Sequence, residues 1–191
     1  MHHWIKRTVA YGLITLAVLP LLESYSGTAT LATNTDFPLP EFIHQQPEAW
    51  INSEPLSVNA LKGKVILVDV WTFGCWNCYR SFPWLNDLEA RYENQGLQVI
   101  GIHTPEFDRE KIRSNIIDKV REFALKHPVM IDNDFSYWRA LNNRYWPSYY
   151  LVDRQGTVRF HFVGEMHINT AKARVVDQEI ERLLAGTISK P

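Results

Sequence analysis

The sequence predicts an α/β sandwich, a mixed β-sheet with helices on both faces, and three observations carry that reading. Residues 64–71 and 98–103 are nearly unbroken apolar, β-branched runs, the composition of central strands buried on both faces. Between them apolar side chains recur at helical spacing, which makes a βαβ unit with parallel strands and a right-handed crossover. Toward the C-terminus, two further strands are separated only by Asp153-Arg154-Gln155-Gly156, a turn short enough to make an antiparallel hairpin. Parallel units closed by a hairpin give a mixed sheet.

In chain order, Phe37-Pro38-Leu39-Pro40-Glu41-Phe42 favours an extended entry, because proline disfavours helix at its own position and at the one before it. The folded domain is expected to begin at Asp36 and run to residue 191. The first central strand follows the turn Lys62-Gly63, and a helix over 81–94 presents Phe82, Leu85, Leu88 and Tyr92, with Pro83 expected to kink it. After the strand 98–103, a second helix over 109–126 places Ile112, Ile116, Val120, Phe123 and Ala124 on one stripe and leads to a short strand at 128–131. A brief helix at 135–141 precedes the hairpin strands 148–152 and 157–163. The last helix, 169–184, turns Ala173, Val176, Ile180 and Leu183 to the sheet and stops before Gly186.

The 191 residues suit one domain plus a short extension; with 46% hydrophobic residues and a net charge of −1, the chain is neither a disordered segment nor a nucleic-acid binder. Residues 1–35 stand apart. Lys6 and Arg7 precede the apolar run 9–22, and a small, polar stretch follows, the layout of a secretory signal. The run is shorter than the ~20 residues that span a bilayer comfortably. Gly27 and Ala29 offer small side chains for cleavage after Ala29, and an uncleaved membrane anchor is the alternative. Either way the domain is expected outside the cytoplasm, in the periplasm or an equivalent compartment.

The chain has two cysteines, Cys75 and Cys78, separated by Trp76-Asn77 at the end of the first central strand and just before a helix. There the unpaired N–H groups and dipole of the helix favour a thiolate, so Cys75 is the expected attacking sulfur. Cys78, one turn further in, is placed to resolve a mixed disulfide. A structural bond over so small a loop would restrain the unfolded chain little. Zinc needs more Cys or His ligands than this pattern supplies, and covalent haem attachment needs His where Tyr79 stands. Neither a metal nor a bound cofactor is expected beyond the redox-active pair.

Asp69 lies inside the apolar strand, six residues before Cys75. Burial there should raise its pKa and fit it to take and return the proton of Cys78. Pro147, preceded by Trp146, opens a strand, where its missing N–H is tolerated. Trp71, Trp76 and Trp146 are expected to crowd the thiol pair with apolar surface suited to an extended segment of substrate. His103, Glu106 and Glu165 read as solvated loop residues.

The motifs Leu61-Lys62-Gly63-Lys64-Val65, residues 68–78 with the cysteine pair, residues 99–107, Asp132-Asn133-Asp134 and Tyr145-Trp146-Pro147 together resemble the TlpA/ResA/DsbE-like branch of thioredoxin-fold proteins, and within it the thioredoxin-like domain of DipZ-type proteins. The resemblance covers residues 36–184. It implies a thioredoxin-like sandwich with an extra helix and strand over 109–131, Cys75 and Cys78 as the redox pair, Pro147 as a cis-proline facing them, and Asp69 as the buried acid. It further implies thiol:disulfide exchange with exported proteins, with reduction the preferred direction and electrons drawn from a separate membrane donor. Some cytochrome-maturation members carry Glu where Ser81 stands, which weakens an assignment to haem-protein maturation. The dipeptide Trp76-Asn77 matches neither a reductant's nor an oxidant's pattern and leaves direction open. A peroxidase is the alternative, from the T-x-x-C spacing of Thr72 and Cys75, although Val68 stands where that motif has proline.

Overall fold

A computed structural model describes Met1 and residues 33–186 of the chain. The secretory signal or anchor expected over residues 1–35 lies almost wholly outside the described residues. A seven-stranded mixed sheet forms the centre, in the order β1-β7-β6-β3-β4-β5-β2. Its strands are β1 (Thr33–Pro38), β2 (Trp50–Ile51), β3 (Val65–Trp71), β4 (Leu97–His103), β5 (Val129–Ile131), β6 (Ser148–Val152) and β7 (Thr157–Val163). β3, β4 and β5 are mutually parallel, while β6 and β7 form the antiparallel hairpin beside β3.

Every residue of β3 is buried, as a strand covered on both faces requires. Strand alternation divides them: Val65, Leu67 and Trp71 join one core cluster, and Ile66, Val68 and Val70 the other. The first cluster lies under α1 (Trp76–Tyr92), α2 (Arg113–Glu122) and α4 (Ala171–Leu184). The second packs against α3 (Ser136–Ala140) and Leu39, Phe42 and Trp50 of the entering chain. Helices therefore cover both faces, the α/β sandwich that the sequence predicts.

Several boundaries differ from expectation. β1 starts at Thr33, before Asp36, and pairs antiparallel with β7. β2 is only two residues long and carries no readable periodicity. α1 begins at Trp76, five residues before its apolar spacing becomes visible, because Cys75 caps it; the helix then runs through Pro83 without interruption. The stretch expected as one helix over 109–126 is a 3-10 turn, Asp108–Lys111, followed by α2. The break falls at Ile112, whose extended backbone leaves its side chain 51% exposed rather than on the buried stripe. Ala124 also leaves that stripe: it is exposed, at φ 54°, and Leu125 is buried in its place.

Gly101 on β4 is paired with Asp69 on one side and Val129 on the other. A Cβ there would stand 2.9 Å from the Trp71 indole nitrogen and 3.1 Å from Val129 Cγ2. Gly101→Ala is expected to destabilise the protein by about 1–3 kcal/mol through overpacking, despite the entropy alanine removes from the unfolded chain. Denaturant titration measures this directly, and an unchanged midpoint would show that Trp71 has room to move.

Candidate active site

The site grows from the C-terminal end of β3. The chain leaves the sheet at Trp71, whose carbonyl accepts from Thr104 N (3.0 Å), and turns through Thr72-Phe73-Gly74 into α1. The turn is closed by Cys75 N donating weakly to Thr72 O at 3.4 Å. Cys75 is the N-cap residue: its Sγ accepts from Cys78 N at 3.1 Å, so a sulfur occupies the place usually taken by a capping hydroxyl or carboxylate. The two cysteines form a disulfide with Cα atoms 5.3 Å apart. Cys75 is half-buried and Cys78 is 1% exposed, so the first sulfur faces the surface and the second the core.

Asp69 is 1% exposed, and neither carboxylate oxygen has a hydrogen-bond partner among the described residues. Burial pushes its pKa well above the usual carboxylate range. Alternation along β3 puts it on the face of Leu67 and Trp71, the face on which Cys78 is buried. Tyr149, its partner across the β3–β6 register, lies beside it; burial first, and the Asp69 charge second, raise the Tyr149 phenol well above its ordinary value. Ser81, one turn along α1 from Cys78, completes this layer, with Oγ donating to Asn77 O (2.7 Å) and accepting from Met166 N (3.0 Å). At 1% exposure, Ser81 fills a space in which a glutamate would have to bury its charge.

The Trp146–Pro147 peptide is cis, and Pro147 immediately precedes Ser148, which pairs with Val70. Pro147 is thus brought to the edge of the sheet from which the cysteine loop emerges. Trp146 is half-buried, donating from Nε1 to Thr104 O (3.1 Å) and packing on Trp138 at 4.3 Å between ring centroids. Trp76 is 66% exposed and stacks on the exposed Tyr79. Trp71 departs from expectation. It is wholly buried against Phe82, His103 and Phe123, so it supports the site from below and offers no surface to a substrate.

His103 also departs from the loop reading. It is the last residue of β4 and unexposed, and burial pulls its pKa down to about 3, so the ring stays neutral. Glu106 is exposed as expected, whereas Glu165 is half-buried and paired with Arg80 at 2.9 Å. Sequence reasoning missed Glu110. This unexposed carboxylate accepts at Oε2 from Thr72 Oγ1 (2.6 Å), Glu106 N (2.7 Å) and Phe107 N (3.2 Å). Its sequence signal is faint: Glu110 stands at the third position of the 3-10 turn after Phe107, where a glutamate reaches back to a free backbone N–H. A helical stripe beginning at Ile112 counts it instead as a solvent-facing residue.

Residues 37–179 match the family model described as Redoxin. The protein DipZ of Mycobacterium tuberculosis is 37% identical over 129 residues, which cover 66% of this chain and 19% of DipZ. The chain thus spans about a fifth of that relative's length. A Bacillus subtilis protein named thiol-disulfide oxidoreductase YkuV is 27% identical over 150 residues, covering 78% of this chain and 96% of its own. Among solved structures, a thioredoxin-like protein in its oxidised form superposes with a TM-score of 0.66 at 26% identity, covering 79% of this chain and 97% of that one. The DipZ-like and thioredoxin-like resemblance is borne out.

Proposed function

The chain belongs to the Redoxin family, and on that premise we propose that it is an extracytoplasmic thiol:disulfide oxidoreductase that reduces disulfides of exported proteins through Cys75 and Cys78. The observation that carries this reading is the asymmetry of the pair: a half-buried sulfur at a helix N-terminus, backed by a buried one on the same face as a carboxyl with no hydrogen-bond partner among the described residues. In the dithiol form, the Cys75 thiolate attacks a substrate disulfide, bonding to one sulfur and releasing the other as a thiolate. Cys78 then gives its proton to the Asp69 carboxylate and attacks Cys75 Sγ, and the second substrate thiolate leaves. Two electrons have passed from the dithiol to the substrate, and the Cys75–Cys78 disulfide remains. A separate membrane donor returns the dithiol by the reverse exchange.

The surface for an extended substrate segment is assigned to Trp76, Trp146 and Pro147, a reading supported by the exposure of Trp76 next to Cys75 and by the cis peptide that joins half-buried Trp146 to Pro147. The placement outside the cytoplasm is supported by the basic and apolar start of the chain, which lies outside the described residues. No helix among the described residues is long and apolar enough to cross a membrane. The hydroxyl of Thr72, which the peroxidase spacing would bring into play, is engaged by Glu110.

The direct test mixes the reduced protein with a disulfide-bonded protein reporter. One reporter disulfide should be lost for each Cys75–Cys78 disulfide formed, and Cys75→Ser should slow the reaction by at least ~10³-fold, since a hydroxyl does not replace the thiolate. Undiminished exchange by Cys75→Ser would sink the assignment, and faster reaction with hydrogen peroxide than with the reporter would make the protein a peroxidase.

A further inference from the structure

Beneath the cysteine loop lies a buried carboxylate that the exchange steps leave without a role. Glu110 comes from the segment between β4 and α2, and all three of its protein donors converge on Oε2. Oε1 is buried and has no hydrogen-bond partner among the described residues. It is pressed against the backbone of Gly74: a Cβ on Gly74 would overlap Oε1 and stand 3.1 Å from the Glu110 carboxyl carbon. Gly74 therefore has no side chain because the carboxylate occupies that side of the turn. The next residue is Cys75, its Cα only ~3.8 Å further along the chain.

Among the described residues no cation is paired with this carboxylate. Arg109, beside it in sequence, lies over the Phe107 ring, and Lys111 is paired with Asp108 at 2.8 Å. His103, which reaches it only through Thr72 (Nε2 to Oγ1, 3.4 Å), is held neutral by burial. Asp69, also buried, faces the Cys78 layer beneath α1, while buried Asp132 is engaged by Thr104 and Tyr137 N and buried Asp153 by Arg159. On the Cys75 side of the pair, Glu110 is packed against the loop at Gly74.

The geometry points to Glu110 as a positioning residue for Cys75, fixing the Thr72–Gly74 turn and setting a negative charge against the residue that precedes the attacking sulfur, which biases the pair toward its disulfide and the protein toward reducing its substrates. The physical step is simple. A carboxylate beside a thiolate disfavours the thiolate, which exists only in the reduced form, and so opposes the stabilisation offered by the N-terminus of α1. The penalty falls on the dithiol state, which gives up its electrons more readily. This deepens the proposed function by assigning the direction that Trp76-Asn77 leaves open, and it rests on that reading.

The test compares wild type, Glu110→Gln and Thr72→Val in two measurements: the dithiol–disulfide equilibrium against glutathione, and the pH dependence of Cys75 alkylation in protein reduced with dithiothreitol. Glu110→Gln keeps the shape and an accepting oxygen but removes the charge. It should shift the equilibrium toward the dithiol on the order of tenfold, ~30 mV for a two-electron couple, and move Cys75 alkylation to lower pH. Thr72→Val removes a donor that favours the charged carboxylate, so both readouts should move the same way by a smaller factor. A glutamate that only braces the turn predicts no movement of alkylation to lower pH in either variant. Values within twofold of wild type for Glu110→Gln overturn the inference. Should that variant fail to fold, Thr72→Val alone decides: a shift toward the dithiol supports the inference, and no shift or the reverse overturns it. Alkylation reads the charge even if no protein disulfide is accepted, so failure here is distinguishable from failure of the proposed activity.

Discussion

Cys78→Ser is expected to stop the reaction halfway and hold substrate proteins on Cys75 as mixed disulfides. Cys75 is half-buried at the tip of α1 and remains able to attack, whereas position 78 is 1% exposed and reachable mainly from within the pair. A serine hydroxyl does not displace a thiolate from a disulfide, so only external thiol can finish the turnover. An intramolecular nucleophile has an effective concentration many orders above the millimolar thiol of an assay, and the loss in turnover should be at least ~10³-fold. Non-reducing electrophoresis and mass spectrometry should show adducts of the protein with single substrate chains, dissolved by dithiothreitol. The fold should survive, since serine is close to cysteine in volume, and the far-ultraviolet circular dichroism should be unchanged. Rapid turnover without adducts would mean that Cys78 is not the resolving thiol.

That such an experiment follows directly from the residues shows where this sequence is legible. The apolar run of β3 reads as a strand buried on both faces because each side chain from Val65 to Trp71 is enclosed whichever way it points. The hairpin strands Ser148–Val152 and Thr157–Val163 are readable because only four residues join them. The face of α4 is readable because Ala173, Val176, Ile180 and Leu183 all meet the core. The same periodicity misleads between β4 and β5. There Glu110 is drawn inward by Thr72 and two backbone N–H groups, contacts made across a turn and a neighbouring loop, which no helical spacing records. Drawing it in ends the 3-10 turn and leaves Ile112 outside. Trp71 meets two readings: the apolar run marks it as core and its nearness to the cysteines suggests substrate surface, and the space at Gly101 with the rings of Phe82 and His103 settles it in the core. Residues whose role depends on one strand are readable, and those whose role depends on packing between distant segments are not.

Asp69→Asn should make the protein more stable and slower at once. In the folded protein burial raises the Asp69 pKa well above the usual carboxylate range. In the unfolded chain the group titrates near ~3.9. Below that value both states carry the neutral acid, and the folded state suffers no penalty. As pH rises through it, the unfolded chain releases its proton first, so stability falls progressively until the folded group also ionises at its raised pKa. Asparagine removes this proton linkage. At pH 7–8 the variant should therefore exceed wild type by on the order of 2 kcal/mol, the scale of relieving a buried group without a partner, and the advantage should vanish below about pH 4. Denaturant titrations at the two pH values measure both ends. The same substitution leaves Cys78 without its proton acceptor, so resolution of the mixed disulfide should slow by about 10²-fold near neutral pH while attack by Cys75 is unaffected. A structural aspartate predicts a different pair of results, with stability lost on substitution and the pH profile of resolution unchanged. Keeping an acid in a layer with Tyr149, Ser81 and Cys78, where an amide would be more stable, is what proton transfer at that layer requires.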